Sequence, residues 1–325
     1  MKPARTLILH IGRHKSGTSS LQHFLAGNRD WLSQKGILYP HAGCNNRIAH
    51  HELALQCNSR LSDGSGIDGI LAGLKAELAP HHERILLSSE AFQNLTDLSR
   101  LKDACSAMGL GSGLSLSHIQ IVCYVREHLD YAMSGFRQLV QSQTVFVTFD
   151  QYAHRFGDMA PFLHRWQNFG NLSVAWFDRN TLKNGDVVAD FCERISINPT
   201  DIPSSNKNPS IGGNLLVYKL AANRLKIPAL DYATMRGLAE DHERFRAPFF
   251  VSETAAAKLR ATSVYNASLT AVLGRHEEKP MDSHPSLPQQ ATINPDLELI
   301  LQENTTNELR EAMLNSGPWF GLAET

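Results

Sequence analysis

Two glycines near the N-terminus, Gly12 and Gly17, have the spacing of a phosphate-binding loop, with an apolar run before them and a helical pattern after them. In a Walker A loop, G-x-x-x-x-G-K-[ST], the lysine follows the second glycine and the next hydroxyl binds magnesium. Here Thr18 and Ser19 follow Gly17, and the nearby lysine, Lys15, precedes it. Backbone N–H groups at a helix start can still bind an anion, helped by the helix dipole. We therefore expect a phosphate site whose lysine acts from the loop itself, without a magnesium triphosphate.

Hydroxyl groups and positive charge are concentrated in this segment. The hydroxyls of the loop and helix start are neutral donors for an anion, and they belong to Ser16, Thr18, Ser19 and Ser20. The surrounding stretch has no acidic residue before Asp30 and contains Lys2, Arg5, Arg13 and Lys15. A loop of Gly, Ser and Lys is also typical of a surface turn that caps a helix. The loop alone leaves that alternative open.

The spacing of apolar residues predicts strands separated by helices. The predicted strands are 6–11, 84–90, 119–125 and 172–177. The predicted helices include 50–56, 67–79, 126–141, 185–195, 214–226, 232–243, 252–273 and 296–315. This alternation predicts an α/β fold with three layers, in which helices flank a mainly parallel central sheet, followed by a helical C-terminal part. We predict one α/β domain over 1–274, then a proline-containing arm and terminal helix over 275–325.

Composition limits the classes of protein that fit the chain. Its 325 residues carry a net charge of −1, so no global charge favours nucleic acid or an anionic membrane. Five cysteines, an odd number without a C-x-x-C pair, fit a reducing compartment. No window reaches transmembrane length, and the start is more typical of a first strand than of a signal peptide. We expect a cytoplasmic protein without a membrane span.

The segment HIGRHKSGTSSLQ resembles the 5′-phosphosulfate loop of the sulfotransferases that use 3′-phosphoadenosine 5′-phosphosulfate (PAPS). The family loop runs close to K-[ST]-G-[TS]-[TS], and residues 15–19 match it throughout. The resemblance implies a P-loop NTPase-like sulfotransferase fold with PAPS as co-substrate and no metal. It also implies that the donor is bound by Arg13, His14, Lys15, Ser16, Gly17, Thr18, Ser19 and Ser20.

A second match lies in VCYVREHLDYAMSGF. The family has an arginine at the end of a strand and a serine eight residues later, and both bind the 3′-phosphate. Arg126 and Ser134 have this spacing, and arginine suits a bidentate grip on phosphate. Alone, Arg126 would be typical of an exposed strand end. His128 replaces the family's usual proline, which predicts a less fixed helix start but removes no phosphate ligand.

The resemblance implies transfer of a sulfuryl group to an acceptor hydroxyl. Lys15 is then placed to stabilise the departing bridging oxygen. Likeness of GILYPHAG and LLSSEAF to bacterial, carbohydrate-type members suggests a carbohydrate acceptor, while a lipid or small metabolite stays open. The family's C-terminal basic loop is not evident, so further contacts to the 3′-phosphate are unassigned.

The sequence offers two candidates for the general base that removes the proton from the acceptor hydroxyl. Glu90 follows a predicted strand, at the end where α/β sheets build their sites. The second candidate is the cluster His50, His51 and Glu52, in which His51 would be poised near neutral pH. The alternatives are a carboxylate that only stabilises a helix start and a solvated histidine pair.

Two further histidines flank the loop. His10 is expected to face the core, and His14 to contact donor or acceptor.

Two other functions stay open. A P-loop kinase-like phosphotransferase would need a lysine after the second glycine and an acidic magnesium ligand on a strand, and LILHIG, RILLSSE and IQIVCYV end without aspartate. A non-catalytic nucleotide- or glycan-binding module on the same fold would bind donor or product without turnover. Residues 275–325 would close over the acceptor or pair with another subunit in a homo-oligomer.

Overall fold

The computed structural model describes residues 5–108, 118–198, 210–246, 249, 251–273 and 306–322. The chain divides into two compact units. We call Met1–Arg126 with Met159–Lys207 the sheet unit, and Glu127–Asp158 with Asn208–Thr325 the helical unit. The predicted arm at 275–295 and the first part of the predicted terminal helix lie outside the described residues. The predicted domain boundary at 274 therefore stays a prediction.

Parallel strands form the central layer of the sheet unit. The described strands are β1 Thr6–His10, β2 Ile37–Leu38, β3 Arg84–Ser88, β4 Ile119–Val125 and β5 Asn171–Trp176. Their order is β2-β3-β1-β4-β5, and every neighbouring pair is parallel. In the central strand β1, Leu9 lies beside Leu87 and Ile121. The predicted α/β class and parallel sheet are confirmed; β2 was not among the predicted strands.

Helices account for most of the remaining described residues. They are α1 Thr18–Gly27, α2 Arg29–Gln34, α3 His51–Cys57, α4 Ile67–Glu77, α5 Ser99–Ala107, α6 His128–Ser142, α7 Phe149–Ala153, α8 Ala160–Gln167, α9 Val187–Arg194, α10 Gly213–Leu225, α11 Tyr232–Asp241, α12 Glu253–Thr262, α13 Val264–Leu273, α14 Asn307–Leu314 and α15 Gly317–Phe320. The predicted helix at 252–273 is divided at Ser263, whose backbone is extended (φ −74°, ψ 103°). No helix in the described parts of the chain is long and apolar enough to cross a membrane.

Both faces of the sheet are covered. Consecutive residues of a strand point to opposite faces, yet Leu7, Ile8 and Leu9 are all completely buried. Ile8 belongs to a hydrophobic cluster with Phe24 of α1 and Phe191 of α9. Burial on both faces is typical of parallel sheets between helices, so the sheet unit is compatible with a three-layer α/β fold.

The helical unit has its own aromatic core. The ring of Phe136 on α6 meets the rings of Phe149, Phe249 and Phe320 at centroid distances of 5.5, 5.5 and 6.2 Å. Tyr218 of α10 is completely buried in the same cluster. These contacts between rings distant in sequence hold the helices together.

Buried polar side chains hold the start of α6. The carboxylate of Glu127 accepts from the amide of Asn266 at 2.7 Å. The Nε2 of His128 donates to the carbonyl of Ala153 at 2.9 Å, and Nδ1 lies 2.7 Å from the hydroxyl of Ser263. A carbonyl can only accept, so Nδ1 is the ring acceptor of the neutral imidazole. The expectation that His128 leaves the helix start less fixed is therefore wrong, because the imidazole ties α6 to two other segments.

Replacement of His128 should weaken the helical unit. His128→Ala removes two buried hydrogen bonds and leaves a cavity, so we expect a loss of about 2–3 kcal/mol in the free energy of unfolding, measured with urea. The control His154→Ala removes a side chain that is 60% exposed on the neighbouring segment, and should cost less than about 0.5 kcal/mol. Equal losses in the two variants would contradict the bracing role of His128.

Candidate anion-binding site

The loop after β1 and the residue after β4 stand at neighbouring strand ends. From β1 the chain passes to the edge strand β2 on one side, whereas from β4 it passes to β5 on the other side. Open α/β sheets bind ligands at the carboxyl ends of two such neighbouring strands. Gly12 and Lys15 lie in the loop that follows β1, and Arg126 directly follows β4. The sheet therefore brings two predicted phosphate-binding elements to one edge.

The loop ends in a tight left-handed turn. Lys15 and Gly17 have φ angles of 64° and 75°, and the N–H of Ser16 donates to the carbonyl of Arg13 at 3.3 Å. Gly17 is the N-cap of α1, and Leu21 makes the helix's first backbone bond, to Gly17, at 3.2 Å.

The start of α1 suits an anion. The N–H groups of its first turn have no acceptor within the helix, and they belong to Thr18, Ser19 and Ser20. No acidic side chain lies in this turn, and no side chain caps it. The helix start thus offers donors and positive potential together.

Ser16 adds an independent indication of a ligand. Its side chain is completely buried, and its hydroxyl has no hydrogen-bond partner among the described residues. Such a group costs about 1–3 kcal/mol when nothing pairs with it. Gly12 closes the same loop, because a Cβ atom at Gly12 would collide with the methyl group of Thr18. The loop thus combines a close backbone approach at Gly12 with a buried hydroxyl at Ser16.

The predicted arginines lie against aromatic rings. The guanidinium carbon of Arg13 is 5.8 Å from the ring centroid of Phe162, and that of Arg126 is 4.7 Å from the ring centroid of Phe177. Ser134 lies on α6, within the helical unit, and is half-buried. Its predicted contact with the 3′-phosphate stays a prediction.

The two predicted bases, Glu90 and His51, lie side by side. Glu90 begins a 3₁₀ turn, Glu90–Asn94, after β3. Its Oε2 accepts from Nε2 of Gln22 on α1 at 2.6 Å, and its Oε1 lies 3.7 Å from Nε2 of His51. The Nδ1 of His51 is 2.7 Å from the hydroxyl of Ser89, which accepts from the N–H of Ala91. The hydroxyl of Ser89 thus links the ring of His51 to the 3₁₀ turn that carries Glu90.

His14, within the loop, is affected by charges from the loop and from this pair. The pKa of His14 lies below its ordinary value because of burial, and Arg13, His51 and Lys15 lower it further while Glu90 raises it. Groups that act on one another's charge in this way lie close together. The pKa of His14 is thus affected by the charges of the loop and by those of the pair formed by His51 and Glu90.

The remaining candidates of the histidine cluster serve the fold. His50 is completely buried; its Nε2 donates to Pro40 and its Nδ1 accepts from the N–H of Ser88, both at 3.1 Å. Burial lowers the pKa of His50 to about 3. Glu52 accepts from Gln56 within α3. His51, by contrast, has its Nε2 3.7 Å from the carboxylate of Glu90.

His10 faces the core, as expected. It is completely buried, and its Nδ1 lies 2.8 Å from the hydroxyl of Ser88. Burial lowers its pKa to about 4, although Glu90 raises it.

Three neighbours of the site were not predicted from the sequence: Gln22, Ser89 and Phe177. Gln22 lies one turn after Thr18 on α1, and this spacing could have indicated it. Ser89 and Phe177 lie at strand ends, where position alone could have drawn attention to them.

The chain matches no protein-family model, no curated protein and no solved structure. Among the described residues, no group of three or more His, Cys, Asp or Glu side chains could hold a metal ion. The likeness to sulfotransferases therefore depends on the loop and on Arg126 with Ser134.

Gly17 should be essential for the turn. In Gly17→Ala, a left-handed backbone and a collision with the ring of Phe177 act together, so we expect stability to fall by at least about 1–2 kcal/mol. The matched control is Gly27→Ala on the same helix, where a Cβ meets no atom within 4 Å and stability should stay level or rise. Urea unfolding of both variants measures the difference; a Gly17→Ala protein as stable as Gly27→Ala would contradict the described turn.

The two buried histidines predict how stability depends on pH. Because folding lowers the pKa values of His10 and His50 to about 4 and 3, the unfolded chain binds protons below about pH 6.5 that the folded chain does not. The free energy of unfolding should therefore decrease as the pH is lowered from 7.5 to 5, by about 2 kcal/mol for each histidine. Urea titrations at both pH values check this. In His50→Asn the fall, measured relative to that variant's own stability at pH 7.5, should be smaller by about 2 kcal/mol, and an unchanged fall would contradict the assignment.

Proposed function

We propose that this chain is a sulfotransferase that moves a sulfuryl group from PAPS to an acceptor hydroxyl. The observation that carries the proposal is the left-handed turn at Lys15 and Gly17, which presents a lysine and the start of a helix without an acidic residue. The order K-S-G-T-S within this turn is that of the sulfotransferase loop. On this proposal the sheet unit has the P-loop NTPase-like sulfotransferase fold, and the protein is cytoplasmic.

Each part of the donor has a candidate partner. The N–H groups of the α1 start and the buried hydroxyl of Ser16 suit the 5′-phosphosulfate. Arg126 and Ser134 are proposed for the 3′-phosphate by their spacing. A guanidinium binds a phosphate through two parallel hydrogen bonds, which sets its orientation as well as its affinity. Arg13 and His14 complete the basic surroundings of the loop.

The reaction requires one proton transfer and one exchange of bonds at sulfur. The acceptor oxygen forms a bond to sulfur while the bond from sulfur to the bridging phosphate oxygen breaks. Lys15 is proposed to stabilise the charge that develops on that bridging oxygen. The acceptor's proton passes to Glu90, whose Oε1 faces His51 while its Oε2 is occupied by Gln22. His51, which lies beside that carboxylate, is proposed to accept the proton from Glu90 or to hydrogen-bond to it.

A carbohydrate hydroxyl is the proposed acceptor, by the likeness to carbohydrate-type sulfotransferases. A kinase-like phosphotransferase has less support. The two neighbours of β1 end in Ser88 and Val125, so neither strand ends in a carboxylate for magnesium. No specific contact favours a module that binds nucleotide without transfer.

Titration calorimetry with adenosine 3′,5′-bisphosphate, the product left by PAPS, tests the donor site. We expect binding by the wild type and a loss of about 10–100-fold in Lys15→Ala and in Arg126→Ala, because each removes a charged hydrogen bond to phosphate. Lys102→Ala, which changes an exposed lysine of α5, is the control and should bind like the wild type.

The outcomes separate the claims. A wild type that does not bind would contradict the whole proposal, whereas unchanged affinity in Arg126→Ala would contradict only the assignment of the 3′-phosphate. Transfer is then measured with radiolabelled PAPS and a panel of carbohydrates, and binding without transfer to any acceptor would favour the binding module.

A further inference from the structure

An aromatic residue stands at the same edge of the sheet as the loop and Arg126. Phe177 directly follows β5, and its N–H donates to the carbonyl of Val125 at 2.7 Å. This bond continues the ladder between β4 and β5 by one residue beyond the last strand pair, Val125 with Trp176. The backbone of Phe177 is therefore fixed next to the residue that precedes Arg126.

The ring of Phe177 contacts two parts of the candidate site. One contact is to Arg126, whose guanidinium carbon is 4.7 Å from the ring centroid. The other is to Gly17, where an added Cβ would collide with Cε2 and would lie 2.9 Å from Cζ. One aromatic ring thus contacts both the guanidinium of Arg126 and the second glycine of the loop.

A ring in this position limits the orientations of Arg126. Attraction between a guanidinium and an aromatic face contributes about 0.5–2 kcal/mol. A guanidinium that stacks on a ring keeps its N–H groups in the plane parallel to the ring, where they can donate to two oxygens of one phosphate. An arginine without that support loses side-chain freedom only when the ligand binds, at a cost of up to about 2 kcal/mol.

We propose that Phe177 is a positioning residue that holds Arg126 ready for a second phosphate and so determines the preference for a nucleotide with a 3′-phosphate over one without it. The proposal rests on the donor site proposed above. It adds that selectivity depends on a side chain that need not contact the phosphate. Phe177 is expected to matter more for the 3′-phosphate than for the 5′-phosphate, because it meets a side chain at Arg126 and only backbone at Gly17.

The test compares adenosine 3′,5′-bisphosphate with adenosine 5′-monophosphate by calorimetry. We expect Phe177→Leu to lose about tenfold in affinity for the bisphosphate, which corresponds to about 1.4 kcal/mol, and less than about twofold for the monophosphate. Phe177→Tyr keeps the aromatic face and should retain the wild-type preference. Phe177→Met keeps the apolar volume without the ring, and serves as the second variant if Phe177→Leu does not fold.

A double-mutant cycle with Arg126→Ala identifies the partner. If Phe177 acts through Arg126, Phe177→Leu should change bisphosphate affinity little in the Arg126→Ala protein. Equal losses for the two nucleotides, or the full loss in the Arg126→Ala background, would overturn the positioning role and leave the donor site intact. Failure of the wild type to bind the bisphosphate would overturn both proposals. The wild-type titration alone reveals this outcome, so it is distinguished from a failure of the Phe177 proposal, which appears only in the variants.

Discussion

Backbone hydrogen bonds at the carboxyl edge of the parallel sheet position the segments that carry the loop, Glu90, Arg126 and Phe177. The N–H of Ser89 donates to His10 at 3.1 Å, the N–H of Ile11 to Val122 at 3.0 Å and the N–H of Phe177 to Val125 at 2.7 Å. Each bond continues a strand pair by one residue, so the segments that leave β1, β3, β4 and β5 begin at a common edge. Because these bonds are independent of the side chains, the sheet can carry a lysine loop, a carboxylate, an arginine and an aromatic ring at neighbouring positions.

Three histidines near this edge have different roles because their surroundings differ. His10 and His50 are completely buried and hydrogen-bonded, and burial holds their pKa values far below the ordinary value. Both therefore remain neutral supports for the strand ends. His51, the next residue along the chain, is partly exposed at the start of α3 and faces Glu90. A single step along the chain thus separates a supporting imidazole from a chemically available one, since the helix start turns the two side chains in different directions.

Much of the sheet unit could be predicted from the sequence, because long apolar runs such as IQIVCYV are strong strand signals. The edge strand β2 has only two residues, Ile37 and Leu38, too few for any periodic pattern. The loop around Lys15 was predicted because its backbone demands glycine at set positions. Contacts made through folding could not be predicted: Gln22 meets Glu90 across 68 residues of chain. The bracing of α6 by His128 was missed for the same reason, as its partner Ser263 is 135 residues away.

The left-handed backbone of Lys15 implies a conflict between stability and charge within the loop. A residue with a Cβ atom at φ 64° costs roughly 1–2 kcal/mol relative to its usual conformation, and glycine or asparagine would adopt it more readily. Either residue would make the loop more stable but would remove the positive charge of Lys15 from the loop. Selection for stability alone would therefore replace lysine at this position. A thermostabilised version of the protein that is meant to keep its function should leave this strained residue unchanged and gain stability elsewhere.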